Sequence, residues 1–549
     1  MSNNKRKTEA FLAASNHWAH KKRPKVESSE KTQPSVEKKS EKCDVIEISS
    51  EEEEEQEEEP VEEVNHPKSP IRLLYNPSYP DNELSQVNKD AVRIADLIGS
   101  EELMETYQFN FSVDVPFFLE FLHPSFKKEK KKLVLITGGH HLEDPEDRPI
   151  FEGYNISEIT ADIPNRFGTH HTKMMINFFK GDTMEIVIMS SNITRLDFGG
   201  LTQMLWRSGR LSKIKPKTIP LVGKRFQKDL MNYLNKYNKV EITQLSKRLK
   251  QYDFSSVNVE LIASAPGSYN LRDVTNETEI YGYGKLHQAL KRNSLLIDNS
   301  ISKLKYNIIA QVSAISYPFA VETFQTAGIF SHLLCPLVFS KKEEFKLLEP
   351  GTNSFRQHQK DHNYNPIIIF PTPEEVAGSN VGFRAGGAIH FDYNRSFVHK
   401  NYYQQCIKPY LHKWSSRETI TGREKVMPHV KLYMCDNGDN WSTLKWVYMG
   451  SHNLSKQAWG SRRGNKFLSS NPSIYDISSY ELGVLVYPKP GETLVPNYLG
   501  DSIPKSKNIP IRLPFKLPPV KYLSTDLPWS GHVSYGGLAD KYGETYNLT

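Results

Sequence analysis

The feature that most constrains the fold is a pattern that occurs twice, separated by roughly half of the chain. The first copy is His171-Thr172-Lys173, followed after an apolar run by Asn192. The second copy is His429-Val430-Lys431, followed after another apolar run by Asn453. The surroundings of the two asparagines are also alike: Met189-Ser190-Ser191-Asn192-Ile193-Thr194 and Met449-Gly450-Ser451-His452-Asn453-Leu454-Ser455. His-x-Lys alone occurs five times, so the asparagines and apolar runs carry the argument. A repeat on this scale predicts two similar halves.

Short apolar runs bounded by turn residues predict buried strands in both halves. They are Leu133–Thr137, Ile186–Met189, Asn307–Val312, Pro366–Phe370 and Glu481–Val486. The segment from 222 to 250 has apolar residues at helical spacing and predicts one amphipathic helix. Strands separated by helical stretches favour an α/β fold. We therefore expect two α/β/α domains with mixed sheets, at 71–253 and 254–549.

Residues 1–70 have the composition of a disordered tail, because they are highly charged and have few aromatic residues. The basic cluster at 21–25, Lys-Lys-Arg-Pro-Lys, resembles a nuclear import signal and predicts a nuclear location. Val45-Ile46-Glu47-Ile48 precedes an acidic block and resembles a SUMO-interacting motif, which adds an edge strand to its partner. A solvated acidic linker with one apolar island is the alternative interpretation.

The charge of the chain is divided unevenly between the tail and the rest. Residues 1–70 hold 12 basic and 17 acidic residues, and the remaining chain carries 58 basic and 47 acidic residues. A basic folded region suits a polyanionic partner such as DNA, although it also suits a merely solubilising surface. No run is long and apolar enough to predict a membrane span, and none after the N-terminus predicts a secretory signal. We expect a monomer without membrane attachment.

The residue types of the repeat suit phosphoryl chemistry. Residues i and i+2 of a strand point the same way, so each histidine is expected to share a face with its lysine. Two such sets facing each other give a pocket of two imidazoles, two ammonium groups and two amides. Lysine and asparagine bind phosphate oxygens, while one imidazole attacks phosphorus and the other protonates the leaving oxygen. Because the lysines supply the positive charge, we expect no metal and no cofactor. His170 is expected to point away from the pocket.

These motifs resemble those of the phospholipase D superfamily, which carries one His-Lys motif in each half. The first motif has Phe178 where the superfamily has an aspartate, whereas the second has Asp436 at that position, in a sequence that predicts a loop. The resemblance becomes closer to the tyrosyl-DNA phosphodiesterase family in several strings between 71 and 540. They are Phe167–Met175, Ser451–Gly460, Tyr107–Phe111, Ser264–Gly267, Tyr480–Val484 and Pro528-Trp529.

The resemblance implies an enzyme of DNA repair that removes the tyrosine of a stalled type IB topoisomerase from a DNA 3′ end. By this resemblance His171 attacks phosphorus and forms a phosphohistidine. His429 first protonates the tyrosyl oxygen and then activates water, which leaves a 3′-phosphate. The resemblance also implies binding of single-stranded DNA, exonuclease-type action at 3′ ends and acceptance of other 3′ adducts.

The resemblance assigns roles to further residues. Gln203 and Glu481 match positions that support the histidines, although the sequence does not say which histidine Glu481 serves. Phe167 is implied to stack on a DNA base, and Ser313 to hydrogen-bond the DNA backbone. A core position for Phe167 is an equally good interpretation of the sequence.

Two other classes of function remain open at this point. One is another hydrolase of the superfamily, either a metal-free nuclease or a phospholipase. The other is a non-catalytic nucleic-acid-binding protein, which accounts for the basic charge but not for the paired His-Lys-Asn sets. Replacing His171 distinguishes them, because a binding protein does not need a nucleophile.

Overall fold

The strands form two large sheets, one from each half of the chain. The protein is described by a computed structural model that covers residues 68–79, 86–88, 90–143, 147–213, 219–297, 304–316, 363–415, 420–462, 474–501 and 507–548. The basic cluster, the Val45–Ile48 motif and the acidic block lie outside the described residues. Pro67–Thr549 forms one compact unit.

In chain order, the strands of the first sheet are β1 (Ile71–Leu73), β2 (Leu103–Phe109), β3 (Lys132–Thr137), β4 (Asn155–Thr160), β5 (Met174–Phe179), β6 (Thr183–Met189), β7 (Met204–Arg207) and β8 (Leu211–Ser212). The strands that follow are β9 (Glu260–Ser264), β10 (Gly267–Asn270), β11 (Tyr306–Gln311), β12 (Tyr364–Ile369), β13 (Leu411–His412), β14 (Lys431–Asp436), β15 (Leu444–Gly450), β16 (Ser461–Arg462), β17 (Ile474–Ile477), β18 (Glu481–Val486), β19 (Thr493–Asn497), β20 (Asn508–Arg512), β21 (Tyr535–Ala539) and β22 (Thr545–Tyr546). The α-helices are α1 (Ala95–Ile98), α2 (Val115–Leu119), α3 (Pro124–Lys128), α4 (Arg148–Phe151), α5 (Arg195–Gly200), α6 (Leu221–Asn235), α7 (Val240–Leu249), α8 (Gly282–Arg292), α9 (Pro373–Ala377), α10 (Phe397–Tyr402) and α11 (Lys456–Trp459).

The two sheets share one topology. The first has the order β4-β3-β2-β5-β6-β7-β1, and the second has the order β13-β12-β11-β14-β15-β18-β9. In the first sheet β2, β3 and β4 are parallel neighbours, and every later pairing along that path is antiparallel. The second sheet repeats this pattern, with β11, β12 and β13 parallel and the rest antiparallel. The prediction of two similar α/β halves with mixed sheets is confirmed.

The predicted strands are confirmed, because each coincides with a strand of one of these sheets. They correspond to β3, β6, β11, β12 and β18. Of the predicted strands, β18 is buried along its whole length and β6 along all but its first residue. A strand buried on both faces needs a continuous apolar run, which is why the sequence revealed these strands more clearly than the shorter outer ones.

The single helix predicted for 222–250 is wrong, since two helices, α6 and α7, occupy this segment. Asn238 lies between them with a φ of 50°. This left-handed conformation ends a helix, and asparagine adopts it more readily than most residues do. The apolar stripe itself is present, because Phe226, Leu230 and Leu234 are all buried.

One hydrophobic core extends across both sheets. It joins Ile176 of β5 and Leu230 of α6 to Leu261 of β9 and Tyr448 of β15. A second core lies on the other face of the first sheet and includes Phe118 of α2. Burying each large apolar side chain contributes about 1.5–3 kcal/mol to folding. The proposed boundary at 253/254 falls between the last strand of the first sheet and the first strand of the second.

No helix in the described part of the chain is both long and apolar enough to cross a bilayer.

A candidate active site of paired histidines and lysines

Each histidine motif is attached by a backbone hydrogen bond to the opposite half of the molecule. The His171 N–H donates to the carbonyl of Tyr480, which directly precedes β18, at 2.9 Å. The His429 N–H donates to the carbonyl of Thr202, just before β7, at 3.0 Å. The two contacts are reciprocal, as expected for halves related by a pseudo-twofold axis. They bring the two motifs together, at and just before the starts of β5 and β14 rather than within the strands.

The two lysines both lie in the interior, near enough for their charges to interact. Lys173 and Lys431 are fully buried, and each Nζ donates to the carbonyl of the histidine of its own motif, at 2.9 Å for Lys173. Burial lowers the pKa of Lys173 to about 8, against the opposing effect of Glu481. Burial and the charge of Lys173 hold the pKa of Lys431 well below its usual range. Two adjacent buried cations are costly without a counter-ion, so the pocket favours an anion.

The two asparagines are held in different ways. Asn453 accepts through Oδ1 from the backbone N–H groups of Ser313, at 3.2 Å, and Ala314, at 2.9 Å. Its amide hydrogens therefore point away from that loop. The Asn192 amide nitrogen donates to Asp197 at 3.3 Å, and its Oδ1 has no hydrogen-bond partner among the described residues.

A carboxylate supports His171. The Nδ1 of His171 lies 2.8 Å from Oε2 of Glu481, the first residue of β18. The hydroxyl of Ser451 donates to the same oxygen and accepts from the Leu482 N–H at 2.9 Å. Glu481 therefore serves His171, which answers the question that the sequence left open. Burial raises the pKa of Glu481 to about 6, although His452 and Lys173 oppose this shift.

An amide and a second carboxylate lie beside His429. Gln203 Nε2 is 3.0 Å from Nδ1 of His429, and Gln203 Oε1 accepts from the hydroxyl of Ser190 at 2.7 Å. Asp197 Oδ1 is 2.9 Å from the same Nδ1. Gln203 therefore matches Glu481 in position. Gln203 directly precedes β7 and bonds Ser190, whereas Glu481 begins β18 and bonds Ser451.

The sequence reasoning missed Asp197 because it followed what the two halves have in common. In the second half the matching position is Ala458, since Ser455 caps α11 as Thr194 caps α5. A usable signal was nevertheless present: Thr194-x-x-Asp197 is the pattern that begins a helix, directly after Asn192.

Burial lowers the pKa of both imidazoles and so favours their neutral forms. Burial, together with the charges of Lys173 and Lys431, holds the pKa of His171 well below its usual range. Burial and the charge of Lys431 lower the pKa of His429 to about 3, although Asp197 opposes this. A phosphate between the motifs raises both values, because a nearby negative charge favours the protonated imidazole.

Phe167 and Ser313 occupy different positions relative to the pocket. Phe167 is 52% exposed, with the guanidinium of Arg166 4.5 Å from its ring centroid, so a core position is excluded. Ser313 is buried, and its hydroxyl donates to Oδ1 of Asn453 at 3.3 Å. Ser313 thus contacts the candidate site, whereas Phe167 lies on the surface a few residues before His171.

His170 points away from the pocket, as expected, and Asp436 ends β14 at the loop that its sequence predicted. The ring of His170 bonds the carbonyl of Asn110 at 2.8 Å and the hydroxyl of Tyr237 at 2.9 Å, in the core. Asp436 accepts from the backbone N–H groups of Asn307, at 2.7 Å, and Gly438, at 3.1 Å, and so shapes the loop after β14. Within the described residues no group of three or more His, Cys, Asp or Glu side chains is arranged to hold a metal ion.

Known proteins resemble this chain over most of its length. The tyrosyl-DNA phosphodiesterase family model matches residues 70–523. A probable tyrosyl-DNA phosphodiesterase of Schizosaccharomyces pombe is 28% identical over 535 residues, covering 84% of this chain and 92% of that protein. Tyrosyl-DNA phosphodiesterase 1 of Drosophila melanogaster is 29% identical over 434 residues, covering 78% and 68% of the two chains.

A crystal structure of yeast tyrosyl-DNA phosphodiesterase matches with a TM-score of 0.62 at 22% identity, covering 84% of this chain and 99% of that one. This match shows the phospholipase D-like fold that the motifs implied. The family model covers well over half of the chain. The chain therefore belongs to the tyrosyl-DNA phosphodiesterase family of DNA-repair enzymes, which are hydrolases of phosphodiester bonds.

Proposed function

We propose that the protein hydrolyses the bond between a DNA 3′-phosphate and the tyrosine of a stalled type IB topoisomerase. The observation that carries this proposal is the reciprocal attachment of the two motifs, which gives one anion pocket an imidazole from each half. Lys173, Lys431, Asn192 and Asn453 bind the non-bridging phosphate oxygens. Preorganised cations of this kind stabilise the charge of a phosphoryl transition state.

In the first step Nε2 of His171 attacks phosphorus. The Nδ1–H donates to Glu481, which leaves the lone pair on Nε2 available. A P–N bond forms as the P–O bond to tyrosine breaks, and the electron pair of that bond moves to the phenolic oxygen. His429 donates its Nε2 proton to this oxygen, and tyrosine leaves as the phenol.

In the second step water releases the DNA. His429, now neutral, takes a proton from a water molecule whose oxygen attacks phosphorus. The P–N bond breaks, its electron pair returns to Nε2 of His171, and the product is a 3′-phosphate. A tyrosyl oxygen is a better leaving group than a sugar hydroxyl, so the phosphotyrosyl bond is favoured over an ordinary phosphodiester bond.

We propose that single-stranded DNA lies across the opening of the pocket, with a base stacked on Phe167 and the backbone bonded to Ser313. The exposure of Phe167 supports the first contact, because an aromatic ring stacks on any base. The position of Ser313 beside Asn453 supports the second. This mode of binding also accepts other small 3′ adducts and gives exonuclease-type action at 3′ ends.

Single-turnover cleavage of a labelled 3′-phosphotyrosyl oligonucleotide tests the proposal. We expect release of tyrosine and a 3′-phosphate end, with activity unchanged by EDTA. The matched substrate with an unmodified 3′ end should react far more slowly. Equal cleavage of both substrates would favour a metal-free nuclease, and loss in EDTA that magnesium restores would contradict the lysine-based mechanism.

For the tail we propose nuclear import through residues 21–25 and binding of SUMO, or of proteins that carry it, through Val45–Ile48. The support is the sequence of these segments, since residues 21–25 form a basic cluster and Val45–Ile48 is a short β-branched run before an acidic block. Alanine replacement of residues 21–25 should leave a fluorescent fusion outside the nucleus. Alanine replacement of Val45 and Ile46 should abolish SUMO-induced NMR shifts.

We also propose that the protein is a monomer, with domains at 71–253 and 254–549. The monomer is supported by the site itself, which draws both histidine motifs from one chain. Sedimentation equilibrium at micromolar concentration checks this, and a dimer mass would overturn it.

A further inference from the structure

The pocket contains one carboxylate that the repeat does not explain. Asp197 lies in the first turn of α5, and its N–H donates to the hydroxyl of Thr194 at 3.2 Å. In α11 the N–H of Ala458 donates to the hydroxyl of Ser455 at 3.1 Å. Asp197 and Ala458 therefore occupy the same position in the two helices, so the first half has a carboxylate where the second half has a methyl group.

Asp197 is buried and fully hydrogen-bonded. Its side chain is 6% exposed, and besides His429 it accepts from Gln203 Nε2 at 2.8 Å, from the Thr194 hydroxyl at 2.8 Å and from the Asn192 N–H at 3.1 Å. Burial alone would raise the pKa of this carboxyl, but His429, the Thr194 hydroxyl and the Asn192 N–H lower it to about 2. The group is therefore an anion throughout the physiological range.

The contacts of Gln203 determine which group receives the Nδ1 proton of His429. The Gln203 oxygen accepts from Ser190, so its NH₂ group faces both Asp197 and Nδ1. An NH₂ group cannot accept a proton donor. The Nδ1–H can therefore donate only to Asp197. Gln203 lies beside Nδ1 but cannot accept its proton.

We propose that Asp197 is the positioning residue that accepts the Nδ1–H of His429 and so keeps that histidine in the form that protonates the leaving oxygen. The inference rests on the proposed function for the role of His429, but not for the hydrogen bond itself. In the first step the Nε2 proton moves to the leaving oxygen, and the Nδ1–H stays bonded to Asp197. His429 then holds a lone pair on Nε2, the form needed to accept a proton from water.

The charges around His429 show why this carboxylate is needed. Lys431 from its own motif and Lys173 from the other both disfavour a protonated imidazole. Asp197 from α5 is the carboxylate in contact with His429, whereas Glu481 is bonded to His171. Without Asp197 the two ammonium groups act on His429 with only the substrate phosphate to oppose them.

The tautomer of His429 gives a test that does not depend on activity. In ¹⁵N-histidine NMR spectra of the full chain, we expect neutral wild-type His429 to carry its proton on Nδ1. In Asp197→Ala the Gln203 amide can donate to a bare Nδ1, so the proton should move to Nε2. Asp436→Asn, which alters a buried carboxylate outside the pocket, is the matched control and should leave the wild-type tautomer. An unchanged tautomer in Asp197→Ala would overturn the proposal.

The leaving group separates acid catalysis from a structural effect. In single turnover with a 3′-phosphotyrosyl strand, Asp197→Asn should slow phenol release by about 10²- to 10⁴-fold, the usual loss of general acid catalysis. With a 3′-p-nitrophenyl phosphodiester, whose leaving group needs no proton, the loss should be less than about tenfold. Asp197→Glu, which retains a carboxylate, should recover part of the tyrosyl rate.

The outcomes distinguish this inference from the proposed function. Equal losses with both leaving groups would assign Asp197 a merely structural role and overturn the inference. A wild-type protein that releases no tyrosine at all would overturn the proposed function, while the tautomer measurement would still decide whether Asp197 holds Nδ1.

Discussion

The two halves have the same strand order but build their histidine supports differently. In the second half Glu481 at the start of β18 holds His171 directly. In the first half the matching residue is Gln203, and the carboxylate that contacts His429 comes instead from Asp197 of α5. The positions of Gln203 and Glu481 are thus equivalent in the fold. They differ chemically, because one side chain is an amide and the other a carboxylate. In the proposed mechanism these neighbours, and not the motifs, distinguish the nucleophile from the acid.

The halves differ again beyond each lysine. Phe178 in β5 is buried and packs edge-on against Tyr107, with ring centroids 6.1 Å apart. Asp436, at the matching end of β14, is buried too but caps a loop through four donated hydrogen bonds from Asn307, Gly438 and Trp441. The position therefore serves the fold in both halves, once by packing and once by polar contacts.

The largest effect should come from replacing His171, the proposed nucleophile, which Glu481 of the second half supports. His171→Ala should reduce tyrosine release by on the order of 10⁴-fold or more, because no other group can form the P–N bond. Binding of a 3′-phosphotyrosyl strand, measured by fluorescence anisotropy, should be largely retained. His140→Ala, at a 59% exposed histidine of the same half, is the control. Normal turnover by His171→Ala would remove the proposed nucleophile.

Replacement of His429 should impair a different step from the one that His171→Ala impairs. His429→Asn should slow hydrolysis of the phosphohistidine by about 10²- to 10⁴-fold, since water then lacks its base. Protein covalently attached to DNA should accumulate and be visible after denaturing electrophoresis. A variant that turns over freely and leaves no adduct would show that the two histidines are not divided as proposed.

A pH profile of kcat/KM tests the charged groups around His171 in the free enzyme. The pKa of Glu481 is raised to about 6, so its charge is lost as the pH falls through 6. The pKa of Lys173 is lowered to about 8, so its charge is lost as the pH rises through 8. We expect kcat/KM to fall by about tenfold per pH unit outside this window. Lys173→Arg should move the alkaline limb upward, and an unchanged limb would exclude Lys173 as its source.

The smallest effect on catalysis is expected from replacing Asp436 or Phe178, which lie five residues after Lys431 and Lys173. Asp436→Asn should lower the free energy of unfolding by about 1–3 kcal/mol, because buried N–H donors lose their acceptor. Phe178→Ala should lower it by about 3–5 kcal/mol through the cavity it leaves. Urea denaturation measures both values. The single-turnover rate of the folded variants should match wild type, and a large loss for Asp436→Asn would give that residue a catalytic part.

The sequence predicted most where the two halves agree. Continuous apolar runs revealed the buried strands, and the repeat around Asn192 and Asn453 revealed the two-half architecture. It failed at Asn238, where a local left-handed turn divides a stripe that looks continuous. It also failed at Asp197, which has no counterpart to compare with, and it left open the partner of Glu481, because a contact across more than 300 residues is set by tertiary structure.

The backbone bonds from His171 to Tyr480 and from His429 to Thr202 cross between the two sheets. Each half therefore carries one imidazole, and the carbonyl group that holds the backbone of that histidine belongs to the other half. A polypeptide consisting of either half alone would lack both the second imidazole and the anchor of its own, and would be inert unless it paired with a copy of itself. Fusion of two such self-pairing units would yield a single-chain enzyme, in which matching positions such as 197 and 458 can carry different residues.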